Sequence, residues 1–426
     1  MRDRSVNWIL AAVFSTSLGV GLIFGFEPPL IAMVLNRSGN SSFRIGAVIA
    51  VSLVAVSVIG PLYPYAIARL GLRRSVMSGI GAAVLILLVM PFWNSVAAWV
   101  LLRVATGCAF GLSWIASEIW MNTVSGDASR GTVMGIYGTV FSIGTVAGPV
   151  LLELTGTRGP LPFVIGALCL ALTLLPLALL RDAARSSATH ATQAAQATRA
   201  AQATRGAQST RRAQSTRRAQ STRAVQSTLP RLASIRKLFG ILPAAPVVML
   251  AAAVAGLVES ADLSLLPLFG LHAGLNERTA LLLVTVFLAG NVALQLPIGM
   301  LADRFGRRAL LGVCAVTSAI GPLLLPAALD RPTLLWPLLF VWGGTLYAFY
   351  SQGVALLGEQ FQAGNLAAAN TLFVMVYCVG GVLGPSIGGY AMDVWPYRGL
   401  PVLLAVSAAS LLAGLAFSRR PRAPAD

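Results

Sequence analysis

Long apolar runs separated by short polar connections make up most of the chain. About 20 consecutive apolar residues are enough for a helix to cross the hydrocarbon core of a bilayer. By that criterion the pattern predicts an all-α integral membrane protein with twelve transmembrane spans. Their predicted ranges are 8–35, 44–67, 75–93, 96–123, 130–153, 160–180, 244–271, 277–301, 308–329, 333–358, 365–391 and 397–418.

Composition favours a membrane protein and argues against an enzyme. Of the 426 residues, 56% are apolar and 11% are charged, whereas soluble domains carry about 25% charged residues. The first apolar run, from Trp8 to Leu35, is too long for a signal peptide, so we expect it to be retained as span 1. The cysteines lie inside apolar runs, and the sequence has no zinc-ligand spacing, nucleotide-binding loop or hydrolase elbow. We therefore expect neither a cofactor nor a metal.

The basic residues predict the orientation of the chain. With twelve spans both termini lie on one side, and that side carries most of the 31 lysines and arginines. Because positive residues accumulate in cytoplasmic loops, both termini are predicted to be cytoplasmic. The net charge of +17 then reflects topology and is no sign of nucleic-acid binding. Arginine in place of lysine, with abundant alanine, suggests a GC-rich bacterium and hence its inner membrane.

One long hydrophilic segment, at about 181–240, contains the six-residue repeat "AQATRAAQATRGAQSTRRAQSTRRAQSTRA". On a helix these arginines would scatter over three faces, and the segment has no apolar stripe to bury. We expect a flexible cytoplasmic linker, with contact to anionic lipid headgroups as the alternative. The predicted organisation is a six-helix half at 1–180, the linker at 181–240, a second six-helix half at 241–418 and a cytoplasmic tail at 419–426.

Short glycine motifs recur in the two halves at a nearly constant offset. Three pairs are 235 or 236 residues apart: Gly71 and Gly306, Gly107 and Gly343, and Gly148-Pro149 and Gly384-Pro385. Agreement of three landmarks on one offset predicts two parallel six-helix halves that arose by duplication.

A charged hairpin, "GMLADRFGRRALL" at 299–311, lies between predicted spans 8 and 9. It resembles the loop signature of the major facilitator superfamily at Gly299, Asp303, Arg304, Gly306, Arg307 and Arg308. Segments such as "RVATGCAFGLSWIASEIW" look most similar to the bacterial YcaD-like branch, near the drug and metabolite exporters. The resemblance covers all twelve spans and implies a transporter of small molecules that works by alternating access.

The hairpin is expected to act as part of a cytoplasmic gate. Gly306 permits the tight turn, and the arginines would hold the hairpin at anionic lipid. Asp303 can accept hydrogen bonds from the N–H groups at the start of span 11, near Asn365, where the helix dipole favours a negative charge. The first half departs from the signature: it has Ala68 at the position of Asp303 and so lacks the carboxylate for a second gate contact of this kind.

Ionisable residues inside spans are costly and by default indicate function. The candidates are Glu27 in span 1, Arg103 and Glu118 in span 4, and Glu259 and Asp262 in span 7. The family fold implies that spans 1, 4, 7 and 10 line a central cavity, and every candidate falls on one of them. Aromatic residues on cavity spans could add an adaptable apolar pocket, or serve only in packing: Trp114, Trp120, Tyr347 and Tyr350.

Depth along the spans suggests which of these groups meet. At 1.5 Å per residue, Glu27 and Arg103 lie at similar depth on facing spans and are predicted to pair, whereas Glu118 is too far along span 4 to join them. Gly107 and Gly111 would let another helix approach the same face of span 4. Glu259 and Asp262 share one face, so one of the two carboxylates is expected to hold a proton. Alternatively, Asp262 faces water in an outer vestibule.

The sequence leaves three functional hypotheses open: two directions of transport and one role without transport. Gly148-Pro149 and Gly384-Pro385 are expected to bend spans 5 and 11, and the first resembles an antiporter signature that lacks its trailing glycine pair. The leading hypothesis is a monomeric, proton-coupled exporter of a small organic solute or drug. The alternatives are a proton-coupled symporter for nutrient uptake and a membrane sensor or assembly protein without transport activity.

The arginine repeat is predicted to serve only as a spacer. Replacing residues 190–226 by an uncharged Gly/Ser stretch of equal length should preserve transport in membrane vesicles, because only reach is required of a flexible linker. Loss of transport at normal membrane insertion would instead indicate a headgroup or partner that reads the arginines.

Overall fold

The computed structural model describes residues 2–93, 95–124, 130–179, 245–361 and 363–418, without the side chains of 2–7, 122–132, 134 and 363–368. The predicted linker at 181–240 and the predicted tail at 419–426 lie outside these residues. The described chain contains twelve helical segments long and apolar enough to cross a membrane. The predicted all-α fold with twelve transmembrane spans is therefore confirmed.

The spans follow one another in the predicted order. Their helices are Arg2–Arg37 (span 1), Ser42–Ile59 with Tyr63–Leu70 (span 2), Leu72–Val89 (span 3), Val96–Val124 (span 4), Arg130–Thr155 (span 5), Leu161–Leu172 with Leu175–Leu179 (span 6), Pro246–His272 (span 7), Glu277–Phe305 (span 8), Arg307–Ala328 (span 9), Pro332–Leu346 with Ala348–Gln360 (span 10), Ala363–Val394 (span 11) and Gly399–Phe417 (span 12). Several helices extend past the apolar runs, because a helix satisfies its own backbone in lipid and in water alike.

Local sequence signals fix several helix ends. The Ser41 hydroxyl accepts a hydrogen bond from the backbone N–H of Arg44, and the Asn276 side chain accepts one from Thr279, as is typical of N-caps. Gly71 and Gly306 have φ of 81° and 90° and stand between spans 2 and 3 and between spans 8 and 9. Positive φ is inexpensive only for glycine, so the two repeat-related turns have the same physical origin.

Glycines allow the helix backbones to touch at equivalent places in the two halves. A Cβ on Gly21 would strike the carbonyl of Phe141, and one on Gly256 would strike that of Tyr377. Span 4 meets span 2 through Gly107, which faces the Ser52 carbonyl, and span 10 meets span 8 through Gly343, which faces the Phe287 carbonyl. These paired contacts keep the offset found in the sequence and confirm two parallel halves. Gly111 faces the Tyr63 ring, so the predicted close approach to span 4 is made by span 2.

Spans 5 and 11 run as continuous helices through Pro149 and Pro385. The preceding glycines, Gly148 and Gly384, face the backbones of spans 1 and 7. Each Gly-Pro pair therefore marks a close helix contact, and the bend expected there stays a prediction.

The two halves are joined at the end of the bundle that carries the connections 38–41, 273–276 and 395–398, which we call the distal end. There the Asp393 carboxylate accepts hydrogen bonds from the backbone N–H groups of Ser42 and Phe43, at 2.8 and 2.9 Å, and so caps the start of span 2. Arg37 of the first half pairs with Glu277 of the second at 2.6 Å. These contacts join the two halves at the distal end.

Gly148 should tolerate no side chain, because a Cβ there meets the backbone of span 1. We expect Gly148→Ala to lower the free energy of unfolding by about 1–3 kcal/mol, the usual cost of overpacking. Gly138 lies on the same helix and has open space for at least 4 Å around the position that a methyl group would take. Gly138→Ala should therefore be neutral or stabilising by up to about 1 kcal/mol. Unfolding in detergent measures both, and equal effects would contradict the close contact.

Candidate functional site in the membrane interior

A pocket with a cavity volume of about 50 Å³ lies between spans 1, 2, 4, 7 and 11. It would have to widen in another conformation to hold a small organic molecule. Most of its lining is apolar, and the polar side chains that line it are Glu27, Ser52, Arg103, Thr106, Ser260 and Ser264. Trp114, Trp120, Tyr347 and Tyr350 do not line it, so the aromatic pocket suggested by the sequence is not this one.

Arg103 and Glu27 form a buried ion pair at the wall of the pocket. The same guanidinium donates hydrogen bonds to the Ser52 hydroxyl and, at 3.0 Å, to the Ile49 carbonyl. Thr106 adds a hydrogen bond from its hydroxyl to the Glu27 carboxylate at 3.3 Å. Glu27 and Arg103 are only 4% and 3% exposed. The pairing predicted from depth is confirmed, and it leaves this wall polar but without net charge.

Glu259 is held in a different way. Its two carboxylate oxygens accept hydrogen bonds from the hydroxyls of Tyr347, at 2.5 Å, and Tyr377, at 2.7 Å. These donors come from spans 10 and 11, and no cation pairs with Glu259 in the described part of the chain. The sequence suggests Tyr347 only as a possible part of an aromatic pocket, and Tyr377 is not among the predicted site residues. The internal repeat could have indicated Tyr377, because it stands at the position of Phe141 in the first half and adds a hydroxyl.

Asp262 lies deep in the protein, and its side chain forms no hydrogen bond in the described part of the chain. It is 1% exposed, and neither of its oxygens has a partner among the described residues. The alternative that Asp262 faces water in a vestibule is therefore wrong, because packing around span 7 covers the side chain completely. Span 7 is the most enclosed of the spans, with 78% of its apolar window buried.

Glu118 lies apart from the Glu27–Arg103 pair, as its position along span 4 predicted. Its carboxylate accepts a hydrogen bond from the Trp114 indole N–H at 3.1 Å, one helical turn away. The residue is only partly buried. Trp114 also packs edge-on against Phe110, with ring centroids 5.5 Å apart.

The charged hairpin makes contacts that the sequence did not reveal. Arg308 donates hydrogen bonds to the carbonyls of Leu415 and Ser418, at 2.7 and 2.6 Å, where span 12 ends. Its repeat counterpart Arg73 donates to the carbonyls of Leu177 and Ala178 at the end of span 6. Unpaired carbonyls at a helix C-terminus attract cations, so these arginines bind protein where lipid contact was expected.

Asp303 pairs with Arg307 at 3.5 Å, and Arg307 also pairs with Glu359 of span 10 at 3.2 Å. Arg304 stacks on the Phe305 ring, and Gly299 has open space where a Cβ would stand. Asn365, the suggested partner region for Asp303, belongs to the stretch whose side chains are outside the described part, so the gate contact stays a prediction.

No three potential metal ligands cluster anywhere in the described ranges. The site thus consists of one neutralised ion pair in the first half and, in the second, two carboxylates without a cationic partner among the described residues.

Comparison with known proteins identifies the family. The model of the Major Facilitator Superfamily matches residues 9–283 and 248–426. The chain belongs to this superfamily. It is a secondary transporter and a multi-pass membrane protein, and its family is one of transporters and not of enzymes.

Relatives over nearly the full length include the uncharacterized MFS-type transporter YfkF of Bacillus subtilis, which is 22% identical over 97% of this chain and 95% of its own. YcaD of Escherichia coli, also an uncharacterized MFS-type transporter, is 24% identical over 92% of this chain and 89% of its own. The expected likeness to the YcaD-like branch is confirmed.

Among solved structures, the nucleoside transporter NupG superposes with a TM-score of 0.72 at 14% identity, covering 96% of this chain and 98% of NupG. The xylose transporter XylE of E. coli, in a partially occluded inward open conformation, gives 0.67 at 18% identity, covering 98% of this chain and all of XylE. At these identities the likeness shows the fold alone.

Arg103 and Glu27 should depend on each other for stability. Arg103→Ala and Glu27→Ala should each lower the free energy of unfolding by about 3–5 kcal/mol, because either change leaves a buried charge without its partner. The double variant should be more stable than either single one. Arg331 is exposed and makes no described side-chain contact, so Arg331→Ala serves as the control. Additive losses in the double variant would reject the coupling.

Proposed function

We propose that the chain exports a small organic solute in exchange for protons, by alternating access, across a bacterial inner membrane with both termini in the cytoplasm. The observation that carries the proposal is the state of the span 7 carboxylates. Glu259 and Asp262 are both buried and have no cationic partner among the described residues. Proton carriers need an acid that can be neutral or charged as conditions change, and a neighbouring cation favours only the charged form.

The orientation rests on the distribution of positive residues, which favours a distal end that faces outward. Contacts of Asp393 with span 2 and of Arg37 with Glu277 would then close the outer side. Transport requires them to break when the outer side opens. The hairpin at the opposite end, with Asp303 as the acceptor for the start of span 11, would close the cytoplasmic side in that second state.

The pocket favours a small, largely apolar solute with a few hydrogen-bonding groups. Its one charged pair is internally neutralised, and hydroxyls of Ser52, Thr106, Ser260 and Ser264 supply the other polar contacts. A solute with a strong net charge would find no free counter-charge on this wall. We also propose that the protein works as a monomer in the lipid bilayer.

Uptake is the second candidate. Solved structures of the same fold include one named as a D-xylose–proton symporter, with a TM-score of 0.65 at 19% identity. A symporter would use the same span 7 acids with the opposite direction of solute flux. A sensor or assembly protein without transport is less well supported, because it would have no use for buried acids on cavity spans.

Glu259 should be required for coupling. Everted membrane vesicles with an imposed pH gradient, tested against a panel of small solutes, would identify a transported compound and its direction. Glu259→Gln should then abolish accumulation against a gradient while solute exchange survives, because the pocket is intact but the acid pair is broken. Glu118→Gln is the matched comparison, since it changes an acid on another cavity span. If Glu118→Gln uncouples transport and Glu259→Gln still concentrates solute, the proton site belongs on span 4.

A further inference from the structure

Asp262 is the counterpart of Glu27 in the second half of the protein. Each acid stands six residues after a glycine that packs on a carbonyl of the fifth span of its half; these glycines are Gly21 and Gly256. The same offset of 235 residues relates the two glycines and the two acids. The backbone therefore presents both acids from equivalent places in the fold.

The groups that surround Glu27 have apolar counterparts at the equivalent positions of the second half. Gly107 on Ser52 and Gly343 on Phe287 fix the alignment of the neighbouring spans. With that alignment the first-half residues Arg103, Ser52 and Thr106 correspond to Leu339, Phe287 and Trp342. These three counterparts are 0%, 2% and 1% exposed. The second half has kept the acid and replaced its cation and both hydroxyls by hydrocarbon and indole.

The loss of the cation and of both hydroxyls leaves buried polar atoms without hydrogen bonds. Neither oxygen of Asp262 has a partner in the described part of the chain, and the indole N–H of Trp342 has none either. A carboxylate buried without a counter-charge or a donor is among the most costly groups a protein can hold, whereas a neutral carboxylic acid costs far less. The geometry thus calls for a small cation at Asp262, and the smallest is a proton.

The titratable groups on the helices that pack against span 7 supply no alternative cation. Spans 10 and 11 contribute Tyr347, Tyr350, Tyr377 and Cys378, which are neutral in their ordinary forms. Span 1 contributes Glu27, already neutralised by Arg103. The described charges of spans 2 and 8 lie towards their ends, and span 12 has none between 399 and 417.

We propose that Asp262 holds a proton in this conformation and is the group that takes up and releases the transported proton, while Glu259 remains the carboxylate that the two tyrosine hydroxyls stabilise. Release transfers the proton from the Asp262 carboxyl to water when the site opens to one side; uptake from water on the other side restores the acid. The transport role rests on the proposed proton coupling, but the proton on Asp262 is a property of the protein at rest.

Infrared spectroscopy of the full-length protein in lipid at neutral pH tests the resting state without any solute. The carbonyl band of a protonated carboxyl group should be present in the parent and lost in Asp262→Asn. It should persist in Glu27→Gln and in Glu259→Gln. A band that survives in Asp262→Asn, or that disappears only in Glu259→Gln, would overturn the assignment.

Stability separates the two equivalent acids. Asp262→Asn replaces a neutral acid by a neutral amide of the same shape, so its unfolding temperature at neutral pH should match or exceed that of the parent. Glu27→Gln should unfold at a lower temperature, because it leaves Arg103 buried without a carboxylate. The unfolded chain ionises Asp262 above about pH 4, so the parent should lose stability relative to Asp262→Asn as the pH rises from there. Failure of Asp262→Asn to fold would contradict a neutral acid at this site.

Rebuilding the first-half arrangement tests the coupling. Leu339→Arg should fix Asp262 as a carboxylate, remove the infrared band and abolish pH-driven accumulation. Asp262→Asn should also abolish accumulation. Accumulation that persists in both variants, or that follows a sodium gradient, would overturn the transport role. If the parent itself shows no pH-driven flux, the proposed function fails while the infrared result still decides where the proton lies.

Discussion

Direct contact between helix backbones is the constraint on which this bundle depends. In lipid the hydrophobic effect gives no net attraction between apolar helices, so association relies on close packing and on hydrogen bonds. Glycines meet this need at Gly21, Gly256, Gly107 and Gly343, each of which faces a carbonyl of the neighbouring span. Because the contacts leave no room for a side chain, they also fix the rotation of each span about its axis. That rotation decides which residues point to the interior.

Ionisable residues are then stable only where this rotation brings them a partner. Arg103 is tolerated because the close contact at Gly107 brings span 2 near enough for Ser52 and the Ile49 carbonyl to accept its hydrogen bonds. Glu259 is tolerated because spans 10 and 11 each place a tyrosine hydroxyl on one of its oxygens. The site therefore owes its chemistry to the same contacts that hold the helices together.

Much of the architecture was predictable from the sequence, because one helix rise and one apolar length govern every span. Hydropathy was sufficient for the twelve spans, the glycine offset for the two halves, and equal depth for the Glu27–Arg103 pair. Depth alone could not find Tyr377, since the contact to Glu259 depends on the rotation of span 11. Sequence also missed Arg73 and Arg308 as caps for spans 6 and 12, and Asp393 as a cap for span 2. The two arginines and Asp393 bind backbone groups, and a backbone group has no signature of its own in the sequence.

The two halves share one backbone arrangement but surround their equivalent acids with different side chains. Both carry an acid at the same place in their first span, but among the described residues only the first half supplies a cation, so Glu27 forms a buried ion pair at the pocket wall. In the second half Leu339 stands where the arginine would be, and the acid is left to its surroundings. This difference between a paired and an unpaired acid would suit a carrier whose halves move against each other. Under the proposed proton coupling, one half would offer the solute a wall without net charge, and the other would hold a charge that changes with the proton.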